Sequence, residues 1–340
     1  MRTWQLSGYS IDELNIEDKP IPKIIDKYDI LIKMKSASLN FRDLIMIDGG
    51  YGNTGGNIPF VPISDGSGVV VELGESVTRF KKGDVVIIPF FKDWDSGDIM
   101  QSTYLSALGG LEDGVMREYI VYSENKIVKA PNEWSCMEAS TLPCAALTAW
   151  RTIVTEGKVN DKSTVLVQGL GGVSIFAIQI AKLCNAKVIA TTSSNERVEL
   201  AKKFGADYVI NYNEDKEWWK NVQNITNKMG VDIVVEVGGS ETLEQSIKSS
   251  KVGAVIGVIG VLSGGIANLP IGRVIYKASR LIGITCGNQE ELHSMVNKFN
   301  ESNVRPIIDS SFSFENLPRA LKYMKTGKHL GKIVIDFDKA

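Results

Sequence analysis

A glycine-rich turn between an apolar strand and an apolar helix is the first feature of this sequence that could do chemistry. Residues 163–192, STVLVQGLGGVSIFAIQIAKLCNAKVIATT, predict a strand, a tight turn, a helix and a second strand. Gly169, Gly171 and Gly172 form the turn, and Val173 begins the helical spacing. Backbone N–H groups at a helix N-terminus after such a turn can approach a pyrophosphate closely. These four residues are therefore predicted to bind a dinucleotide.

The fingerprint departs from the usual pattern at its third small position, where Ser174 stands. Serine is small enough to let the helix pack on the strand. A strand before the turn, a helix after it and a second strand within about 30 residues supply the context that the mechanism needs. The alternative is a glycine-rich turn in an α/β domain that binds no nucleotide.

The end of the second strand discriminates between the two nicotinamide dinucleotides. NAD sites typically place a carboxylate roughly 20 residues after the first glycine, where it binds the ribose 2′-OH. Here Thr192, Ser193 and Ser194 occupy that strand end, and Arg197 follows. Small hydroxyl groups leave room for a 2′-phosphate, and a guanidinium can pair with it bidentately. The pattern favours NADPH over NADH; alternatively, the two serines simply cap the next helix.

Composition limits the classes of protein and partner. A chain of 340 residues predicts two domains. Its 38 Lys and Arg against 40 Asp and Glu argue against nucleic acid or a membrane surface as the main partner. The four cysteines show no CxxC pairing, no apolar run approaches 18 residues, and the N-terminus lacks a signal-peptide pattern. These features predict a cytoplasmic protein that acts on a small molecule.

The elements that must position these residues fall into three parts. Roughly the first 125 residues show short alternating strands punctuated by Gly, Pro and Asp, which is typical of antiparallel sheet. Strands and helices then alternate, which predicts a doubly wound parallel sheet. We predict an α/β protein whose first domain spans residues 1–145 and is completed by 288–340. The second, dinucleotide-binding domain spans 146–287.

Several segments in order resemble one known family over essentially the whole chain. They include SASLNFRDL, PFVPISDGSGVVVELGESVTRFKKGDVV, STLPCAALTAW, VLVQGLGGVS, FGADYVINY and HLGKIVI. The sequence resembles the medium-chain dehydrogenase/reductase superfamily, in its zinc-free quinone-oxidoreductase-like and alcohol-dehydrogenase-like branch. The resemblance implies a GroES-like catalytic domain, a Rossmann domain and usually a homodimer. We expect an exposed strand near residues 254–261 to pair across the two-fold axis of that dimer.

The resemblance also identifies where catalytic zinc ligands would stand. Asn40, the pair Ser64–Asp65 and Cys144 occupy those positions, which leaves too few good ligands for a three-ligand zinc site. The loop that would carry four structural cysteines, about 91–114, contains none. We therefore predict no metal, and we expect Cys144 to be a small buried hydrophobe. The alternative is a zinc alcohol dehydrogenase with substituted ligands.

By the same resemblance, Asn40 contacts the nicotinamide or the substrate, and its amide can donate to a substrate oxygen. Thr148 matches a residue beside the nicotinamide ribose. Tyr51, Arg42, Ser64 and Asp65 lie in the same loops and could relay a proton. Of these, Tyr51 and Arg42 are the predicted catalytic residues. Their alternatives are structural, because Arg42 can pair with Asp43 and Tyr51 can merely cover the pocket.

The remaining predicted cofactor contacts come from the resemblance and from the rule that open α/β sheets bind ligands at strand ends. Tyr212 matches an adenosine-side contact, although a surface aromatic closing a turn would look the same. The strand-end residues are Val237, Gly238, Ile259, Gly260, Cys286 and Gly287.

The predicted function is a zinc-independent, NADP(H)-dependent oxidoreductase. Hydride would pass between the nicotinamide and a carbonyl or alcohol, an activated C=C, or a quinone. The sequence leaves these substrate classes open. The competing class is a non-catalytic, redox-sensing NADPH-binding protein on the same fold.

Overall fold

The computed structural model describes residues 1–50 and 56–339, which form two compact units. The first unit consists of Met1–Leu147 and Asn288–Ala340, and the second of Thr148–Gly287. The division predicted from sequence, after residues 145 and 287, lies close to this one.

The first unit up to residue 147 is dominated by strands. Its elements are β1 (Arg2–Leu6), β2 (Leu14–Asp18), β3 (Asp29–Ser38), α1 (Phe41–Ile47), β4 (Asp65–Leu73), β5 (Val85–Ile88), β6 (Tyr119–Ser123), β7 (Val128–Lys129) and α2 (Cys136–Ser140).

The second unit alternates strands and helices. Its first helix, α3 (Leu147–Trp150), begins at the last residue of the preceding segment of the first unit. The elements that follow are β8 (Thr164–Gln168), α4 (Gly172–Leu183), β9 (Lys187–Thr192), α5 (Asn195–Lys203), β10 (Tyr208–Asn211), α6 (Trp219–Ile225), β11 (Val231–Glu236), α7 (Leu243–Ser249), β12 (Ser250–Val258), α8 (Ile271–Tyr276) and β13 (Arg280–Gly283).

The chain then returns to complete the first unit. These last elements are α9 (Gln289–Asn300), β14 (Ile308–Ser313), α10 (Leu317–Lys325) and β15 (Lys332–Asp336).

The main sheet of the first unit is built around β3. Its strand order is β14-β15-β3-β4-β5-β7, and β6 also pairs with β3. The pairs are antiparallel except β14 with β15. Alternate residues of β3, Ile30, Ile32 and Met34, are buried in the core because successive side chains of a strand point to opposite faces. In this order β15 pairs with β3, although about 300 residues separate the two strands.

The second unit is a parallel sheet with strand order β10-β9-β8-β11-β12-β13. The central strand β8 is buried along its apolar run Val165–Leu166–Val167, as expected when helices cover both faces. The order reverses beside β8, which has β9 on one side and β11 on the other. Ligands of open α/β sheets bind outside the carboxyl ends of strands at this kind of switch point. The predicted α/β class, with a GroES-like part and a Rossmann sheet, is confirmed.

One expectation about this sheet is wrong. The segment 254–261 is not an exposed strand, because β12 lies between β11 and β13. Strand β13 lies at the edge of the sheet formed by the described residues. The sequence of an apolar strand does not show its lateral position in a parallel sheet. It therefore could not show that β13, and not β12, is the edge strand. Among the described residues, no helix combines the length and apolar character needed to cross a bilayer.

Candidate active site and cofactor site

The glycine turn lies at the carboxyl end of the central strand of the second unit. Strand β8 ends at Gln168, and Gly169 follows with φ +69°, a conformation that residues with a Cβ rarely adopt. Gly171 is the N-cap of α4, and no side chain caps this helix. Open space surrounds the position where a Cβ of Gly171 would stand. The first N–H groups of α4, which begins with Gly172 and Val173, are therefore available to an anionic ligand.

Ser174 shows why the third small position tolerates a serine. Its hydroxyl donates a 2.7 Å hydrogen bond to the carbonyl oxygen of Gln168. The side chain is buried and joins the first turn of α4 to the end of β8. The departure from glycine thus fastens the helix to the strand without occupying the open space at Gly171.

The carboxyl end of β9 carries the residues predicted to select NADPH. Ser194 caps α5, since its Oγ accepts a hydrogen bond from Arg197 N at 3.3 Å. The capping role weighed as an alternative is therefore present for Ser194. Ser193 makes a different contact, because its carbonyl accepts from Asn213 Nδ2 at 2.7 Å. Arg197 stands in the first turn of α5, and binding of a 2′-phosphate by these residues stays a prediction.

A carboxylate that the spacing argument missed lies beside this strand end. Glu214 follows β10, and its Oε1 accepts from Asn195 Nδ2 at 2.6 Å and from Asn211 Nδ2 at 3.1 Å. Tyr212, the predicted adenosine-side contact, is joined to the same region by its N–H, which donates to the Thr192 carbonyl at 2.9 Å. A carboxylate is the group with which NAD sites bind ribose hydroxyls. Glu214 therefore counts against the NADPH preference.

A buried carboxylate organises the carboxyl end of β11. Glu236 is fully buried and accepts from Gln168 Nε2 at 2.7 Å, from Gly238 N at 2.9 Å and from Gly239 N at 3.0 Å. Two hydroxyl groups also donate to it, those of Thr242 and Ser246. Since Val237 N also donates to Gln168 Oε1 at 3.3 Å, the N–H groups of Val237 and Gly238 already have protein acceptors. Any contact that these two predicted residues make to a cofactor must use other atoms.

The other predicted strand-end residues lie after β12 and β13. The N–H groups of Ile259 and Gly260 donate to the Glu236 carbonyl at 2.9 and 3.3 Å. A Cβ on Gly260 would stand 2.2 Å from the Val237 carbonyl oxygen, so this close approach requires glycine. Cys286, which precedes Gly287, is buried with φ +92°. That backbone is strained by about 1–3 kcal/mol for a residue with a Cβ, and such strain clusters at functional sites.

Thr148 belongs to the second unit, where it is buried. Its carbonyl accepts from the hydroxyl of Thr152 at 2.8 Å, one turn further along. The Thr152 methyl in turn packs against Gly257 of β12, where a Cβ would come within 2.5 Å. Thr148 is therefore held in place by its own helix, and its contact with a ribose stays a prediction.

In the first unit, three polar side chains that are distant in sequence meet at one end of β3. Asn40, two residues after the end of β3, is the N-cap of α1, while Asp65 begins β4 and Lys332 begins β15. Ser38 pairs with Asp65 on one side and with Val334 on the other, so the three residues converge. Lys332 Nζ is buried and donates to Asn40 Oδ1 at 2.6 Å.

Asp65 is a fully buried carboxylate with donors on both oxygens. The Ser64 hydroxyl donates to Oδ1 at 2.8 Å, and Cys144 N donates to Oδ2 at 3.0 Å. Burial raises the pKa of Asp65 above its ordinary value, while the charge of Lys332 and the polar contacts of Asn40, Ser64 and the Cys144 N–H partly oppose the rise. The hydrogen-bonded surroundings therefore limit, without cancelling, the cost of burying this charge.

The amide of Asn40 has two different ends. Oδ1 is held by Lys332, whereas Nδ2 is buried and has no hydrogen-bond partner of ordinary length among residues 1–50 and 56–339. The amide nevertheless lies near enough to Asp65 to favour its ionised form. An amide N–H that is buried without a partner costs free energy unless a ligand accepts from it. Asn40 therefore presents a donor suited to a substrate oxygen.

Arg42 and Asp43 complete this cluster. Asp43 Oδ2 accepts from Asn40 N at 2.7 Å, and Arg42 Nη1 lies 3.6 Å from Asp43 Oδ1. The same guanidinium donates to the Leu108 carbonyl at 2.8 Å and lies over the ring of Phe90. Burial raises the pKa of Asp43 to about 6, and the nearby Asp65 adds to the rise while Arg42 opposes it. The ion pair weighed as the structural alternative is thus present, and a catalytic role for Arg42 stays a prediction.

Tyr51, the third predicted catalytic residue, lies outside the described residues. Its role in proton relay therefore stays a prediction from the resemblance.

Comparisons with known proteins agree with both units. The model for the alcohol dehydrogenase GroES-like domain matches residues 26–132, and that for the zinc-binding dehydrogenase matches residues 172–301. A zinc-type alcohol dehydrogenase-like protein of Schizosaccharomyces pombe is 38% identical over 98% of this chain and 97% of its own. The chain belongs to the medium-chain dehydrogenase/reductase superfamily. It is an oxidoreductase of this NAD(P)-dependent superfamily, as predicted.

Two further similarities describe this dehydrogenase/reductase. The 2-methylene-furan-3-one reductase of Solanum lycopersicum is 32% identical over 98% of the chain and 79% of its own length. A solved structure from Sinorhizobium meliloti 1021 is 38% identical and has a TM-score of 0.90, covering 99% of this chain and 100% of its own. The fold and the family therefore agree over nearly the whole sequence.

The name of the matched zinc-binding model raises the question whether this dehydrogenase/reductase can hold zinc. In the described part of the chain, no group of three or more His, Cys, Asp or Glu side chains could hold a metal ion. At the ligand positions, Cys144 offers Asp65 its backbone N–H, and the ammonium of Lys332 lies against Asn40. These donors do not fit a three-ligand zinc site. The expectation that Cys144 is a buried hydrophobe is wrong in degree, because the residue is only partly buried.

Sequence reasoning missed four residues of these sites: Lys332, Glu214, Glu236 and Gln168. Lys332 is part of the motif HLGKIVI, but the motif does not indicate that its side chain is buried, and a lysine at the start of a strand is ordinarily solvated. Glu236 and Gln168 each end an apolar strand, where a polar residue usually marks only the boundary. Gln168 and Glu236 meet because β8 pairs with β11, and strand pairing of this kind leaves no local pattern in the sequence.

Proposed function

We propose that this chain is a zinc-independent, NADPH-dependent reductase of small α,β-unsaturated ketones. The observation that carries the proposal is the Asn40 amide, whose Oδ1 is held by Lys332 while its buried Nδ2 lacks a partner of ordinary length among the described residues. When bound, the nicotinamide supplies the hydride. Asn40 Nδ2 donates to the carbonyl oxygen of the substrate and stabilises the negative charge that develops there.

The chemistry of the donor favours the enone over the other classes left open. Conjugate reduction places negative charge on an enolate oxygen, which is a weaker base than the alkoxide formed from a simple ketone or aldehyde. A neutral amide can stabilise an enolate without transferring a proton, and solvent can then protonate the α-carbon. The name of the tomato relative, a 2-methylene-furan-3-one reductase, supports the same class.

The residues proposed to hold the cofactor are those around the glycine turn and the next strand end. The N–H groups at the start of α4 would bind the pyrophosphate, and Ser193, Ser194 and Arg197 would bind the 2′-phosphate. Glu214 argues against the NADPH preference, because its carboxylate accepts a hydrogen bond from Asn195, the residue after Ser194. The preference for NADPH therefore depends on Arg197 outweighing Glu214.

A titration of the purified protein with NADPH and NADH, followed by tryptophan fluorescence, tests the cofactor preference. We expect NADPH to bind at least tenfold more tightly, or about 1.4 kcal/mol. Arg197→Ala should abolish the difference by weakening NADPH alone, whereas Arg319→Ala, an exposed arginine of the first unit, should change neither affinity. Equal affinities in the unmodified protein, or equal losses for both dinucleotides in Arg197→Ala, would contradict the proposal.

Initial rates with a small enone, a quinone, an aldehyde and an alcohol test the reaction. The enone should have the largest kcat/KM, and a zinc chelator should leave the rate unchanged. Alcohol or aldehyde turnover that a chelator removes and zinc restores would instead indicate a zinc alcohol dehydrogenase. Binding of NADPH without turnover of any compound would favour the non-catalytic, redox-sensing class.

We also propose a homodimer in a reducing compartment such as the cytoplasm, where the four free cysteines would be stable. Strand β13 at the sheet edge and an exposed apolar stretch beside it support a second copy of this chain as the partner. The exposed residues are Val261, Leu262, Ile266, Leu269, Ile271, Ile275 and Tyr276. Sedimentation equilibrium should give a dimer, Ile275→Glu a monomer, and Met229→Glu, at an exposed apolar residue outside this stretch, still a dimer.

A further inference from the structure

Lys332 is a buried cation that the proposed reaction does not yet use. Its side chain is only 2% exposed, and Nζ donates to the Leu39 carbonyl at 2.7 Å and to Asn40 Oδ1 at 2.6 Å. An ammonium group has three donors and no acceptor. Whatever amide group stands beside Nζ must therefore offer its oxygen.

We propose that Lys332 is a positioning residue that sets the direction of the Asn40 amide, so that Nδ2 rather than Oδ1 faces the substrate oxygen. This inference rests on the proposed function, in which Nδ2 stabilises the developing negative charge. The two ends of a side-chain amide are nearly equal in size, and only their hydrogen-bond partners decide which way the group faces. Lys332 makes that choice because its Nζ is adjacent to the amide and cannot accept.

Asp65 favours the same orientation of the Asn40 amide that Lys332 does. Its carboxylate can only accept, and the contact with Asn40 favours its ionised form. If the amide were reversed, Oδ1 would face a carboxylate and Nδ2 would face an ammonium, and both contacts would be repulsive. The cation on β15 and the carboxylate on β4 therefore act on opposite ends of one amide.

Besides the bond from Lys332 Nζ to the Leu39 carbonyl, the backbone around Asn40 has two anchors that do not involve the ammonium group. Asn40 N donates to Asp43 Oδ2 at 2.7 Å, and Leu39 N donates to the Ile333 carbonyl at 3.0 Å. The loss of the Lys332 ammonium should therefore free the side-chain amide to reverse while the helix start stays in place. This separation distinguishes a positioning role from a general structural one.

The test compares Lys332→Met, Lys332→Arg, Asn40→Ala and the double variant Asn40→Ala/Lys332→Met in steady-state enone reduction. Loss of one oriented donor to a developing oxyanion typically lowers kcat by 10²–10³-fold, and an amide that is reversed in about 90–99% of the molecules should lower it by about 10–100-fold. We expect Lys332→Met to lower kcat by that amount with little change in the NADPH dissociation constant. Lys332→Arg, which keeps donors and charge, should recover most of kcat, and Lys298→Met, at a partly exposed lysine that pairs with Glu301, should have no effect.

The double variant separates the two proposals. If Lys332 acts through the amide, Lys332→Met should have no further effect on kcat once Asn40 is alanine. Equal additional losses in both backgrounds would overturn the positioning role and leave the role of Asn40 intact. A folded Asn40→Ala variant with unchanged kcat would instead overturn the proposed function of Asn40 itself.

Removal of a buried cation can prevent folding, so a second variant keeps the test decisive. Lys332→Met/Asp65→Asn removes one positive and one negative charge together and should fold, as thermal unfolding will show. Its kcat should stay below that of the unmodified protein, because the obligate donor at Oδ1 is absent. Full recovery of kcat in this variant would show that Lys332 only balances the charge of Asp65, and the positioning role would be refuted.

Discussion

Ionisation of Asp43 should destabilise the folded protein, whereas ionisation of most aspartates in folded proteins stabilises it. Replacing Asp43 by a neutral residue should therefore remove a loss of stability that develops as the pH rises. Asp43 is buried at the start of α1, where Oδ2 accepts from Asn40 N and Oδ1 lies 3.6 Å from Arg42 Nη1. Burial raises its pKa from 3.8 to about 6, despite the nearby charges of Arg42 and Lys332. The folded state therefore binds the proton more tightly than the unfolded state, and ionisation of Asp43 opposes folding.

The sign and the size follow from proton linkage. Between pH 3.8 and about 6 the folded state holds more protons on Asp43, so this group makes the free energy of unfolding fall as the pH rises. The cost is complete above pH 6 and absent below 3.8. With 1.36 kcal/mol for each pKa unit, the whole effect is about 3 kcal/mol. About 2 kcal/mol of it falls between pH 4.5 and 7, the range in which unfolding can be measured conveniently.

The assay is urea unfolding of the unmodified protein and of Asp43→Asn at several pH values between 4.5 and 7.5. An asparagine oxygen can still accept from Asn40 N, so the helix start is kept while the titrating group is removed. Relative to the unmodified protein, the variant should gain about 2 kcal/mol in the free energy of unfolding as the pH rises through this range. Asp98→Asn, at an exposed aspartate, is the matched control and should show no comparable gain. A constant difference between Asp43→Asn and the unmodified protein would refute the reasoning.

Two further predictions concern the second unit. Gly171→Ala should lower the free energy of unfolding by at most about 1 kcal/mol, because open space surrounds the position and only the N-cap preference is lost. The same substitution should weaken dinucleotide binding at least tenfold in a fluorescence titration. Gly272→Ala, also in open space, is the control. Unchanged affinity would argue against pyrophosphate at this turn. Glu236→Gln should lower the free energy of unfolding by about 1–3 kcal/mol because buried donors lose their acceptor, whereas Glu241→Gln, on the surface, should not. Equal unfolding midpoints for these two variants would contradict the role of the Glu236 network.

The local parts of this protein were predictable from sequence. Strand, turn and helix around Gly169 and Gly171 follow each other without interruption, so spacing and residue type were enough to predict a helix that begins at a glycine turn after a buried strand. The alternation of strands and helices after residue 146 likewise predicted the parallel sheet. Ser194 marks the limit of this reasoning, because one hydroxyl that caps a helix and one that binds a phosphate look alike in sequence.

What only the tertiary structure decided is which distant side chains meet. Asn40 and Lys332 are 292 residues apart, and they touch because β15 and β4 flank the same end of β3. Glu214 approaches the Ser193–Ser194 segment because β10 pairs with β9. Periodicity and turn residues specify each strand from its own neighbours, but lateral strand order depends on how whole elements pack. The sequence therefore determined that a dinucleotide-binding oxidoreductase fold forms, while the packing of strands determined which charges surround its donor amide.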